Sequence, residues 1–168
     1  MNLEKEISRL YGLPPAEFTE ARKGLATKLR AEGEKAAAMR VEDLRKPTVA
    51  AGVVNRLART ERMNVRALLT SGERLRAAQA KLLRGGSPDG VHKAATDERK
   101  ALKALLAAAR RDEASEAVLR RVEETLRAAA VDDEARELLQ AGRFVQERKP
   151  VGFGFAQEQP ARRKRSSK

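Results

Sequence analysis

The chain of 168 residues contains no cysteine, no tryptophan and a single histidine, His92. Those absences exclude thiol nucleophiles, disulfides and any Cys/His metal site that needs two such ligands. Isoleucine occurs once, aromatic residues make up 3% of the chain, and no run alternates Val, Thr and Tyr with polar residues, so strand signals are nearly missing. No apolar stretch approaches the roughly 18 residues that cross a bilayer, because charges recur every few positions. The N-terminal residues mix Glu4, Lys5, Glu6 and Arg9 with Leu3, Ile7 and Leu10 and do not form a basic-then-apolar leader, so the expected location is cytoplasmic, with no membrane partner.

What is present is alanine, leucine, arginine, glutamate and lysine, the strong helix formers. Of the 41% of residues counted as hydrophobic, 30 residues are alanine, which leaves a thin supply of large apolar side chains. The expected fold is all-α, a bundle of about six to eight helices followed by a flexible basic C-terminal tail.

Local signals place the helices. A short one over about residues 2–11 stops at Gly12, and Pro14-Pro15 starts a second that carries Phe18, Leu25 and Leu29 and ends at Gly33. Ala37, Val41 and Leu44 stripe a third, which Lys46-Pro47 breaks. Thr48 is a suitable N-cap for a fourth with Val49, Val53 and Leu57. A long stripe from Val65 through Leu68, Leu69, Leu75, Leu82 and Leu83 defines a fifth, beginning near Asn64. The run Gly85-Gly86-Ser87-Pro88-Asp89-Gly90 reads as a linker between an N-terminal helical half, residues 1–84, and a C-terminal half, residues 91–149. That second half carries stripes at Val91, Leu102, Leu105 and Leu106, at Val118, Leu119, Val122 and Leu126, and at Leu138 and Leu139. Its last helix has Asp132 and Asp133 at its start and Gly142 at its end. Beyond Lys149 periodicity vanishes, and residues 150–168 read as a mostly disordered basic tail.

Charge is distributed unevenly. The chain carries 36 Lys+Arg and 24 Asp+Glu, a net charge of +12. Residues 40–84 hold 11 basic and 4 acidic side chains, and residues 161–168 hold 5 basic and none acidic, whereas residues 85–160 are close to neutral. The first surplus contains Arg45, Lys46, Arg56, Arg59, Arg62 and Arg66; the second is Arg162, Arg163, Lys164, Arg165 and Lys168. Both suit phosphates, giving salt-sensitive affinity with little sequence information. A solvated surface on a bundle with a thin core is the competing explanation for the first surplus.

Helix, turn and helix over Val41–Arg59 have the outline of a helix-turn-helix, yet Thr48 to Gly52, where base contacts belong, are small and mostly apolar. Phe153 and Phe155, beside the basic tail, are either stacking rings for a single strand or anchors that tether the tail to the body. Asn55, inside a predicted helix, is expected to hydrogen-bond a neighbouring helix end or a ligand. Gly85–Gly90 lacks the Gly-Lys-Ser/Thr of a phosphate loop, His92 has no nucleophile or carboxylate at a catalytic spacing, and Asp132-Asp133-Glu134 reads as a helix start rather than a cation site. No catalytic residue, cofactor or metal is therefore expected.

Leu10-Tyr11-Gly12-Leu13, Phe18-Thr19 and Leu29-Arg30-Ala31-Glu32-Gly33 are followed by Arg45-Lys46-Pro47-Thr48-Val49-Ala50-Ala51 and Val54-Asn55-Arg56-Leu57-Ala58. This pattern, with Gly152-Phe153-Gly154, resembles an uncharacterised helical family common in high-GC bacteria, over about the first 60 residues most clearly. The resemblance implies a bacterial, intracellular, all-α protein and transfers no site residue. The two functional expectations are a non-enzymatic, largely sequence-neutral binder of DNA or RNA, and a helical interaction module. In the second, the stripes Val65–Leu83 or Val91–Leu106 face a protein partner or a second copy.

Overall fold

The computed structural model describes residues 2–150. Among them are eight helices and no strand: α1 (Leu3–Tyr11), α2 (Pro15–Ala31), α3 (Lys35–Glu42), α4 (Val49–Thr60), α5 (Arg62–Leu83), α6 (Asp89–Arg111), α7 (Glu116–Val131) and α8 (Asp133–Ala141). None is long and apolar enough to cross a membrane. The expectations for Phe153, Phe155, Arg162, Arg163, Lys164, Arg165 and Lys168 lie outside the described residues.

Helix starts follow capping chemistry. Side-chain oxygens of Asn2, Thr48, Ser115 and Asp132 accept from the backbone N–H three residues on, at the starts of α1, α4, α7 and α8. Pro15 opens α2, where no backbone donor is needed. Only Glu61 separates α4 from α5, which begins at Arg62 rather than near Asn64.

Two apolar clusters divide the molecule. The smaller joins α1, α2 and α3 through Ile7, Leu10, Tyr11, Phe18, Leu29 and Val41, with the Tyr11 and Phe18 rings 5.2 Å apart. The larger draws on α4 to α8 and on Phe144, and includes Val54, Leu57, Leu68, Leu105, Val122, Leu126 and Leu139. Its boundary falls in the α3–α4 connection. Gly85–Gly90 is instead the reversal of a long α5–α6 hairpin, whose antiparallel sense is marked at its far end by Arg111 pairing with Glu61 at 3.3 Å. Residues on both sides of that turn share one core, because two long stripes of small and medium apolar residues bury most area against each other.

Helices with this much alanine pack closely. A Cβ added at Gly72 on α5 would lie 2.3 Å from the carbonyl oxygen of Ala130 on α7, so the helix crossing requires glycine there. Gly24, by contrast, sits mid-way along α2 on an exposed face with nothing near its would-be Cβ.

After α8 the chain runs back along α4. Thr48 N–H donates to the Val145 carbonyl at 2.9 Å, and fully buried Asn55 grips Phe144 from both sides. Its amide donates to the Phe144 carbonyl at 2.9 Å and its oxygen accepts from the Phe144 N–H at 2.7 Å. The polar residue inside α4 thus replaces the backbone partners that a non-helical segment has lost.

The two glycines give opposite expectations in a denaturant titration. Gly72→Ala lowers stability by about 1–3 kcal/mol through overpacking, whereas Gly24→Ala raises it by about 0.5–1 kcal/mol through unfolded-chain entropy and helix propensity.

Candidate nucleic-acid interface

The six arginines and lysines of the 40–84 surplus that were expected to act together take four different positions. Arg45 and Lys46 are exposed in the connection before α4, whereas Arg62 and Arg66 lie beyond its other end. The twelve residues of α4 separate the two pairs by about 18 Å of helix. Arg56 turns to the α6–α7 connection and pairs with Asp112 at 3.0 Å, its Nε buried without a partner.

Arg59 is structural. Its Nη1 donates to the carbonyls of Asn55 (2.7 Å) and Gly142 (3.0 Å), and its Nη2 to that of Ser8 (2.5 Å), joining α4, the end of α8 and the last turn of α1. Two of these carbonyls belong to helix C-termini, where the macrodipole favours a cation. Gly142, at φ +62°, closes α8, and a Cβ there would sit 2.4 Å from the Arg59 guanidinium. Burial pushes the Arg59 pKa down, with the positive charge of Arg143 adding to the effect. The side chain nevertheless stays a cation, since arginine starts far above neutrality. Beside it, Arg143 reaches Glu4 at 2.7 Å, and Arg40 bonds the same carboxylate, so the start of α1 is tied to α3 and to the segment after α8.

Arg62 and Arg66 remain outward on the first turns of α5. The carboxylates around them are taken, Glu61 by Arg111 and Glu73 by Arg136. From Arg66 a groove follows one side of the α5–α6 hairpin as two adjoining hollows of about 450 and 500 Å³ that share Arg74 and Asp97. Its walls carry Arg66, Arg74, Lys81, Lys93 and Lys100, and its floor is largely alanine. Asp97 is its one carboxylate, 3.8 Å from Lys93. Between Arg66 and Lys81, α5 advances about 22 Å. Asn64, which borders the groove, has its amide donor engaged with Glu61 at 2.8 Å.

Arg74, Lys81, Lys93 and Lys100 were not singled out from the sequence. The four-residue step from Arg62 to Arg66 on one face was a usable signal for α5; for Lys93 and Lys100 there was none before the hairpin was known.

The helix-turn-helix outline fails on burial. Ala50, Ala51, Gly52, Val53 and Val54 are all interior, so the first half of α4 cannot enter a groove. The carboxylates of residues 132–134 serve the fold: Asp132 caps α8, Asp133 meets Arg76 at 3.3 Å, and Glu134 meets Arg148 at 2.7 Å. His92 is exposed on the first turn of α6. No family model, curated protein or solved structure matches the chain.

Arg59→Lys replaces a planar fork by a point donor that cannot span three carbonyls. It is expected to lower stability by about 1–3 kcal/mol in urea titrations. Glu4 supplies a pH signature. Its hydrogen bonds to Arg143, and next to Arg40, hold its carboxyl below the ordinary value. The folded pKa is therefore lower than the unfolded one, and the stabilisation is present above the ordinary value and lost as pH falls through the lowered one. Glu4→Gln should thus lose less stability than the parent on going from about pH 6 to about pH 3, with the difference shrinking in high salt.

Proposed function

We propose that the protein binds nucleic acid through its phosphate backbone, with little dependence on sequence, along the α5–α6 groove. The supporting observation is the gathering of Arg66, Arg74, Lys81, Lys93 and Lys100 around one trough that holds a single carboxylate. A track of cations about 22 Å long meets several phosphates of one strand. Base edges are read by bidentate amide or guanidinium groups fixed at the correct place, and an alanine floor offers none. The reading therefore assigns affinity to charge and leaves specificity low. Arg62, on the same helix, and Arg45 and Lys46, at the other end of α4, extend the positive surface, and the tail cations Arg162, Arg163, Lys164, Arg165 and Lys168 add a second basic element in the sequence. Arg56 and Arg59 are withdrawn from this role, because their guanidinium groups serve Asp112 and three backbone carbonyls.

The interaction-module reading needs the leucine stripes of α5 and α6 to face another chain. Val65, Leu68 and Leu69 on α5, and Leu102 and Leu105 on α6, instead face this chain's own core. Leu82 and Leu83 are exposed neighbours at the tip of the hairpin, Leu83 at 90%.

The test is binding of labelled duplex DNA, single-stranded DNA and RNA across a salt series. It uses the full chain, a chain ending at Pro160, and the triple variant Arg66→Gln/Arg74→Gln/Lys100→Gln. For duplex DNA each phosphate contact contributes about 0.9 to the slope of log K against log salt, so the triple variant should lose about 2 to 3 from that slope. Arg59→Lys should leave the slope unchanged. No binding of any of the three nucleic acids at low salt overturns the reading.

A further inference from the structure

The hollow on the other side of Arg66 is built differently from the groove. It lies between the end of α1, the first turns of α5 and the end of α8, and it encloses about 560 Å³. Four guanidinium groups line it, those of Arg59, Arg62, Arg66 and Arg136, against the single carboxylate of Glu73.

Two of the four are fixed. Arg59 is held by its three carbonyls, and Arg136 is 9% exposed, with its Nη2 donating to the Leu69 carbonyl at 3.1 Å. Its Nη1 edge pairs with the Glu73 carboxylate, whose own side chain is 60% exposed. That carboxylate is an oxyanion on the edge of a buried guanidinium, the kind of contact arginine also makes with phosphoryl oxygens. The Arg136 Nε is buried with no hydrogen-bond partner. The other two arginines, Arg62 and Arg66, are exposed on the rim, one helical turn apart on α5. Planar guanidinium groups hold phosphoryl oxygens in pairs, and one guanidinium already fixed, that of Arg136, with two exposed ones to close on the ligand, loses little ordering entropy in doing so.

Size and lining narrow the ligand. Pockets for small molecules run from about 300 to 1,000 Å³, so this one is much larger than a bare phosphate. Val65, Leu69 and Leu139 contribute apolar wall, and Ser8 and Thr70 contribute hydroxyls. We propose that this cleft binds a small phosphate monoester of about nucleotide size, with its phosphate on Arg62, Arg66 and the Arg136 edge that Glu73 now occupies, and its organic part against the apolar wall. The proposal is independent of nucleic-acid binding by the α5–α6 groove, since Arg66 is the sole arginine that borders both hollows.

Isothermal titration of the full chain at constant ionic strength tests it, with inorganic phosphate, 5′-AMP and adenosine as probes. The expected order is 5′-AMP tighter than phosphate, and adenosine without measurable heat. Arg62 lines the cleft alone and is exposed, so Arg62→Gln should keep the parent's thermal midpoint and weaken 5′-AMP about tenfold. Arg74→Gln/Lys100→Gln changes only the groove and should leave 5′-AMP binding within about twofold while weakening duplex DNA. No heat with either phosphate-bearing probe at millimolar concentration overturns the proposal. Equal weakening of 5′-AMP by the two variants also overturns it, because diffuse charge would then explain the binding. Loss of DNA binding in the double variant with 5′-AMP retained keeps the two sites separate. A parent chain that binds 5′-AMP and no nucleic acid sinks the groove reading alone.

Discussion

One guanidinium holds three helices. The donors of Arg59 meet carbonyls from α1, α4 and the residue that closes α8, at distances of 2.5 to 3.0 Å. Those carbonyls come from both apolar clusters, since α1 packs with α2 and α3 while α4 and α8 pack in the larger core. Beside the contact of Pro15 with Gly52, the union of the two clusters is thus made by polar groups. Asn55 one turn earlier supports it by holding Phe144, and Glu4 supports it from outside by bonding Arg143 and Arg40. A buried polar junction depends on every partner being present, because each unpaired group carries its own desolvation cost.

The same residue type therefore does two unlike things in this molecule. Arg56 and Arg59 are spent on the fold, and Arg62, Arg66 and Arg74 face outward. The net charge of +12 overstates what a ligand meets at any one place and understates how sharply the outward part is gathered. Along the α5–α6 hairpin the cations come from two helices that the chain reaches before and after its tightest glycine-rich reversal. Around the cleft they come from α4, α5 and α8.

Helix positions were readable because caps, breakers and stripes are local: Thr48, Pro15, Asp132 and Gly142 announce their roles within a few residues. Gly85–Gly90 shows the limit of that reading. Glycine, serine and proline mark where regular structure stops, and the same residues serve an interdomain linker or a hairpin turn; apolar stripes many residues apart decide which. Arg59 and Arg62 show it again for the site. They are three residues apart in neighbouring helices, and what separates their fates is the placement of Ser8 and Gly142, distant in sequence on either side. Lys93 and Lys100 were hidden in a stretch whose total charge is near zero, because carboxylates further along the chain, Asp112, Glu113, Asp132, Asp133 and Glu134 among them, cancel them in any count made along it. Asn55 was the exception. A lone amide amid apolar helix residues implied a specific partner, a neighbouring helix end or a ligand, and the partner is the Phe144 backbone just past the end of α8.

The hold of Asn55 on Phe144 spans 89 positions of chain, and that of Arg143 on Glu4 spans 139. Synthesis runs from the N-terminus, so α1, α2 and α3 emerge with a core of their own long before the segment that fastens them to the rest exists. Until residues 142–145 arrive, the Asn55 amide lacks Phe144 and the Arg59 guanidinium lacks one of its three carbonyls, that of Gly142. The last described stretch of the chain thus completes the junction of the nascent protein, and a message cut short ahead of it would leave the Asn55 amide without Phe144 and Glu4 without Arg143.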